Sequence, residues 1–176
     1  MIPKILKNFN LFIDGRGYAG KCDEVNPPKL NIKSEEYRAG GLDAPIPIDM
    51  GMEKLEASFT LSEYDKDVLK QFGLISGNAV QITLRGALQD DETTSPIIIK
   101  LRGMYTEMDM GKFAAGEKGT LACTIACRYY SLEIDGEQLI EVDIDNMTRI
   151  IGGVDKMVEI RDAIGILFFL KKSCKI

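Results

Sequence analysis

Hydrophobic and polar residues alternate most regularly over 53–61, with Leu55, Ala57, Phe59 and Leu61 on one side and Lys54, Glu56, Ser58 and Thr60 on the other. Successive side chains of a strand point to opposite faces, so this run predicts a strand with one buried and one wet face. The run 29–38 alternates more loosely, setting Leu30, Ile32, Ser34 and Glu36 against Asn31, Lys33, Glu35 and Tyr37. Further strands are expected over 9–13, returning through Asp14-Gly15-Arg16-Gly17 to 18–25, and over 79–88, 97–109 and 120–134. Asp135-Gly136 is a strong hairpin signal that turns the last of these into 138–144, with 147–151 after it. One helix breaks the series: Ser62 can cap it, Asp65 suits its first turn, Tyr64, Val68, Leu69 and Phe72 share a stripe, and Gly73 ends it. Met157, Val158, Arg161 and Ile164 also have helical spacing. Many strands joined by hairpins predict a mainly β, antiparallel sandwich or barrel with one flanking α-helix.

Between the two alternating segments lies 38–51, too long for a hairpin turn. It carries Leu42, Ile46, Ile48 and Met50, with Pro45 and Pro47 holding the backbone extended. A disordered linker would be polar, whereas apolar side chains on a stiffened loop need a surface to bury against. At about 3.3 Å per residue, an out-and-back excursion reaches roughly 20 Å. The loop therefore either touches a neighbouring subunit or folds back over its own core.

The 176 residues suit a single domain, or one domain with a small appendage, with a core that needs no metal or disulfide. A net charge of -5 argues against a surface built to hold phosphates. The chain contains no His, which removes serine-hydrolase and His-metal chemistry and leaves assembly expected to change little between about pH 5 and 8. Cys123 and Cys127 sit four residues apart in a strand, about 13 Å and too far for a disulfide, so they read as buried thiols in a reducing compartment. The carboxylates of Glu35-Glu36 face opposite ways, Asp90-Asp91 falls in a turn, and Gly15, Gly17, Gly152 and Gly153 are turn glycines rather than a phosphate loop. No catalytic, cofactor or metal site is expected. The start of the chain lacks a secretory pattern, and the apolar run 164–170 is too short to span a bilayer, so a cytoplasmic site of synthesis without a membrane anchor is expected.

Certain of these segments carry a resemblance. Asn10-Leu11-Phe12-Ile13-Asp14-Gly15, Pro28-Lys29-Leu30, Glu36-Tyr37-Arg38-Ala39-Gly40-Gly41-Leu42-Asp43-Ala44-Pro45 with Ile48-Asp49-Met50-Gly51, and Asp135-Gly136 with Glu141-Val142-Asp143 resemble the major tail tube proteins of contractile-tailed phages and R-type bacteriocins. The likeness spans 1–166, and 167–176 looks like an extension of unknown role. It implies a β-sandwich with a flanking helix, like the type VI secretion tube, and hexameric rings stacked into a hollow tube. DNA would be a transient cargo of that tube, or the tube itself a puncturing device. The implied partners are further copies of the chain, a contractile sheath, a baseplate and a tail terminator, with no cofactor. Arg38, Gly40, Gly41, Leu42, Asp43, Pro45, Ile46, Ile48 and Asp49 would then form an intersubunit loop. Lys54, Glu56, Ser58 and Thr60 would face the channel, joined by Lys33 and Glu35 if the preceding strand pairs with 53–61 across the loop. A soluble ligand-binding β-sandwich is the alternative, with an apolar pocket in place of a bore, and an enzyme is disfavoured by the want of any coherent constellation.

Overall fold

The computed structural model describes residues 3–73 and 80–166. Cys174 and the extension 167–176 lie outside the described residues. The chain opens on β1 (Ile5–Ile13), turns through Asp14 and Gly15 into the short β2 (Arg16–Gly17), and continues to β3 (Cys22–Asn26). Next come β4 (Ile32–Tyr37) and β5 (Ile46–Met52), then β6 (Leu55–Leu61) and the single-turn helix α1 (Lys66–Leu69). Three long strands follow, β7 (Val80–Gln89), β8 (Thr94–Asp109) and β9 (Leu121–Ile134). The chain then runs through β10 (Glu137–Asp143), β11 (Thr148–Ile151), β12 (Val154–Asp155) and α2 (Val158–Ala163). The β9–β10 hairpin turns at Asp135 and Gly136, with φ of 56° and 81°. Two successive positive φ values match the twist of the flanking strands, and Asp-Gly reaches them at little steric cost.

Among the described residues all strand pairs are antiparallel, and ten strands join one sheet. Its organisation follows from β8 and β9, which are long enough to serve two layers. One edge of β9 holds β6 along Leu121 to Cys127 and β10 along Tyr129 to Ile134. Among the described residues β8 pairs with β7 as far as Gly103, and the remainder pairs with β9 alone. One layer is therefore β3-β6-β9-β8 and the other runs from β12 through β9, β8 and β7 to β1 and β2. Leu11, Ile13 and Ile82 from the second layer share a single core with Leu55, Phe59, Leu121 and Ile125 from the first, so the layers face each other across it. Phe59 meets Tyr105 edge-on at 6.2 Å between ring centres.

The burial of β6 matches its alternation: Leu55, Ala57, Phe59 and Leu61 are in the core and Glu56 is exposed. Other details differ. The α1 cap is Asp65, whose carboxylate accepts from the backbone N–H of Asp67 (2.7 Å) and Val68 (3.2 Å). Ser62 instead donates to Asp23 (2.7 Å), so the helix starts later than its spacing predicts. Within the stripe Val68 is buried and Phe72 is exposed, while Gly73, at φ 78°, follows the helix. The 154–164 stretch divides between β12, which pairs with β11, and α2, so the described residues hold a second short helix beside α1. The largest correction concerns 38–51. Residues 46–52 form a strand that returns alongside β4, Tyr37 opposite Ile46 and Glu35 opposite Ile48, so the excursion is a two-stranded arm forming a sheet of its own.

Cys123 and Cys127 are buried, and burial pushes their thiols up to about 12 and about 11, with Cys22 likewise raised to about 11. Several carboxyls shift the other way. A hydrogen bond from Lys118 lowers Asp23, one from Arg16 lowers Asp67, and the Thr93 backbone lowers Asp90. Carboxylates lowered by folding contribute stability above the ordinary Asp value near about 3.9 and lose it as pH falls through their folded values. Thiols raised by folding contribute below about 8.5 and lose it as pH rises towards their folded values. The expected thermal unfolding midpoint is flat from about pH 5 to 8 and falls below about 4 and above about 9. Calorimetry across that range would contradict this with a step near pH 6.5.

Candidate assembly surfaces

Three features stand apart from the core. The first is the arm. Tyr37 and Ile46 are directly opposite, as are Glu35 and Ile48, and period two puts all four on one face. Ser34 and Asp49 lie on the other, where Asp49 meets Arg149 of β11 at 3.4 Å. The arm thus leans on its own subunit with its polar side and leaves an apolar side uncovered, Ile46 at 48% and Ile48 at 43% exposure. Arg38, Gly40, Gly41, Leu42, Asp43 and Pro45 form its exposed tip, closed by the N–H of Leu42 donating to the Ala39 carbonyl (3.2 Å).

The second feature is the outward face of the β3-β6-β9-β8 layer. Glu56, Ser58 and Thr60 stand opposite Ala126, Thr124 and Ala122 of β9. Asn26 and Glu24 of β3 flank Ser58 and Thr60, and Asn26 donates to both Ser58 (3.3 Å) and Glu24 (3.0 Å). On the far side, Met104, Glu107 and Asp109 of β8 continue the rows of Ala126, Thr124 and Ala122. The face carries the carboxylates of Glu24, Glu56, Glu107 and Asp109, and Lys54 at its border pairs with Glu56 at 2.8 Å. Among the described residues, the outer edge of β3 and the 104–109 edge of β8 have no partner strand. Lys33 and Glu35 do not belong here. β6 pairs with β3 and β9, while β4 pairs with β5, so both residues sit on the arm. Sequence reasoning missed Glu24, Asn26, Glu107 and Asp109. The register shifts between Cys22 and Glu24 and between Tyr105 and Glu107 break the period that would have revealed them.

The third feature holds the arm's root. Arg161 of α2, buried to 8% exposure, donates to the Met147 carbonyl (2.7 Å) and to Asp155 (2.6 Å). Asp155 also accepts from the backbone N–H of Met157 and Arg149. Burial alone would raise the Asp155 carboxyl, but these donors outweigh it and hold it below the ordinary value. Arg149, positioned in this way, reaches Asp49 on the arm. Among the described residues no group of three His, Cys, Asp or Glu side chains is arranged to hold a metal ion.

Residues 3–165 match the family model described as phage tail tube protein FII. The tail tube protein of Escherichia phage P2 is 32% identical over 170 residues, covering 94% of this chain and 99% of that protein. The major tail tube protein of Serratia phage KSP20 is 31% identical over 147 residues, covering 82% of this chain and 85% of that one. Among solved structures, the sheath/tube terminator of the extracellular contractile injection system PVC, in its extended state, has a TM-score of 0.59 at 13% identity. That match covers 76% of this chain and 98% of the other, a likeness of fold.

Proposed function

The chain belongs to the phage tail tube protein FII family, a structural tube subunit of the contractile tail of a virion, and from this premise we propose how its copies join. Six copies form a ring in which the free β3 edge of one subunit pairs with the free 104–109 edge of the next. Edges without a partner among the described residues, on opposite sides of one four-stranded layer, are the observation that carries this reading, because an exposed edge is a template for pairing and closure removes it. Four strands from each of six copies make a barrel of twenty-four, roughly 40 Å across between backbones at the usual strand spacing. Side chains on both walls then leave a lumen wide enough for a DNA duplex.

The polar face of the layer supplies the lumen wall, since Leu55, Ala57, Phe59 and Leu61 are committed to the core on the other side. Glu24, Glu56, Glu107 and Asp109 make that wall acidic, which keeps passing phosphate from adhering. The arm bridges to neighbouring copies, rings stack into a tube, and the outer layer faces the sheath, with baseplate and tail terminator proteins at the two ends. DNA is transient cargo. Electron microscopy of the purified protein tests the reading: rings or hollow rods are expected, and a monodisperse monomer at every concentration would sink it.

The wall's charge makes a separate expectation. Changing Glu24 and Glu56 to Lys places two cations per subunit where two anions stood, and both are exposed, so the fold should lose no more than about 0.5 kcal/mol per site. Particles carrying the double variant should assemble and then eject DNA slowly, with the delay shrinking as salt rises. Ejection at the unaltered rate would mean that this face does not line the channel.

A further inference from the structure

The apolar side of the arm needs a receiving surface, and the subunit holds a hollow of suitable size away from the arm's own anchorage. Leu6, Phe9, Pro27, Leu84, Leu88 and Ile97 line a space of about 190 Å³. Leu6, at 51% exposure, marks its open mouth. The space is large enough for one branched aliphatic side chain, and its lining would give that side chain the close contacts of a protein interior.

The chain next to this hollow is charged. Leu88 runs directly into the β7–β8 turn, which holds Asp90, Asp91 and Glu92. Asp90 is consumed by the turn, accepting from the backbone N–H of Glu92 (2.9 Å) and Thr93 (2.7 Å) and from the Thr93 hydroxyl. The side chains of Asp91 and Glu92 make no hydrogen bond or ion pair with the described residues, and neither does Arg38 at the arm tip. An apolar hollow followed along the chain by two carboxylates is thus complementary to another part of the same molecule, where an apolar residue lies near a cation with no partner among the described residues.

We propose that the arm tip of a second copy docks at this hollow, Leu42 entering between the layers and Arg38 meeting Asp91 and Glu92. The proposal rests on the reading of the chain as a tube subunit and names the surface that receives its arm. Donor and acceptor are different patches of one chain, so the contact is head-to-tail and propagates from copy to copy instead of closing on a dimer.

Two experiments on the full chain test it, both read beside unaltered protein imaged for tubes. In the first, Arg38→Glu sets like charges against each other and should raise the concentration needed for tubes by about tenfold or more. Adding Asp91→Lys and Glu92→Lys to the same chain should restore assembly. In the second, Leu42→Cys with Leu88→Cys, in a background with Cys22 and Cys174 changed to Ser, should give covalent oligomers when preformed tubes are oxidised. Tubes that form normally with Arg38→Glu, an Arg38→Glu defect that the two Lys changes do not repair, or intact tubes that yield no crosslink would each overturn the docking site while leaving the tube reading in place. Failure of the unaltered protein to form tubes would overturn both.

Discussion

Replacing Leu42, Ile46 and Ile48 together with Ser is expected to leave a folded monomer that no longer builds tubes. All three are exposed on an arm that forms its own sheet, so the subunit's core loses nothing with them. Changes at such positions typically alter folding stability by no more than about 0.5 kcal/mol each. In an assembly that covers them, each branched aliphatic side chain contributes about 2 kcal/mol. The triple variant then forfeits on the order of 5 kcal/mol per contact, several thousandfold in association, and the contact repeats at every subunit. Size-exclusion chromatography, a thermal melt and electron microscopy read the result together. Loss of the cooperative melt along with assembly would mean that the strip supports the subunit's own fold, and normal tubes would mean that the arm bridges nothing.

The second large effect concerns Gly103, the last residue of β8 paired with β7 among the described residues, which also pairs with β9. A Cβ built there lies 2.2 Å from the Ala126 carbonyl oxygen and 2.9 Å from both the Ala126 carbonyl carbon and the Cys127 Cα. These are backbone atoms of the central strand, which cannot swing aside as a side-chain end would. Gly103→Ala is expected to cost about 4 kcal/mol or more through overpacking and a displaced ladder. For a chain of this size that lowers the melting midpoint by roughly 8–16 °C, a large part of the 5–15 kcal/mol that holds a typical domain together. Gly40→Ala, at the arm tip with open space around its Cβ, is the control and should melt with the parent chain. A Gly103→Ala midpoint within about 3 °C of the parent would show that β8 and β9 can separate there after all.

The contrast between these two glycines shows what the sequence could express. Local rules were legible: the faces of β6 follow from strict alternation, and the β9–β10 hairpin from Asp135-Gly136. β5 was hidden because Pro47 demotes a strand, yet in a two-stranded sheet a proline can sit opposite Glu36 with its missing N–H harmless at the edge. The alternation of Ile46, Ile48 and Met50 was present and was outweighed by the two prolines. Ser62 and Asp65 are both competent caps, and what decides between them is Asp23 on β3, a tertiary neighbour that already holds the Ser62 hydroxyl. Consecutive strands usually pair, which put Lys33 and Glu35 beside β6. The chain instead sends β4 and β5 outward and brings β3 into that place. The acidic face needed registers across three strand pairs, two of them shifted, and no single segment records those.

That β8 and β9 each run unbroken through both layers has a mechanical meaning for a tube subunit of a contractile tail. A sandwich whose walls touch only through interdigitated side chains can shear, one wall sliding over the other as contacts exchange. Here the walls share two continuous backbones, so a push received on one wall reaches the other along covalent bonds and hydrogen-bonded ladders. Sliding would require stretching the chain itself. The subunit therefore behaves as a stiff bracket whose two walls move as one.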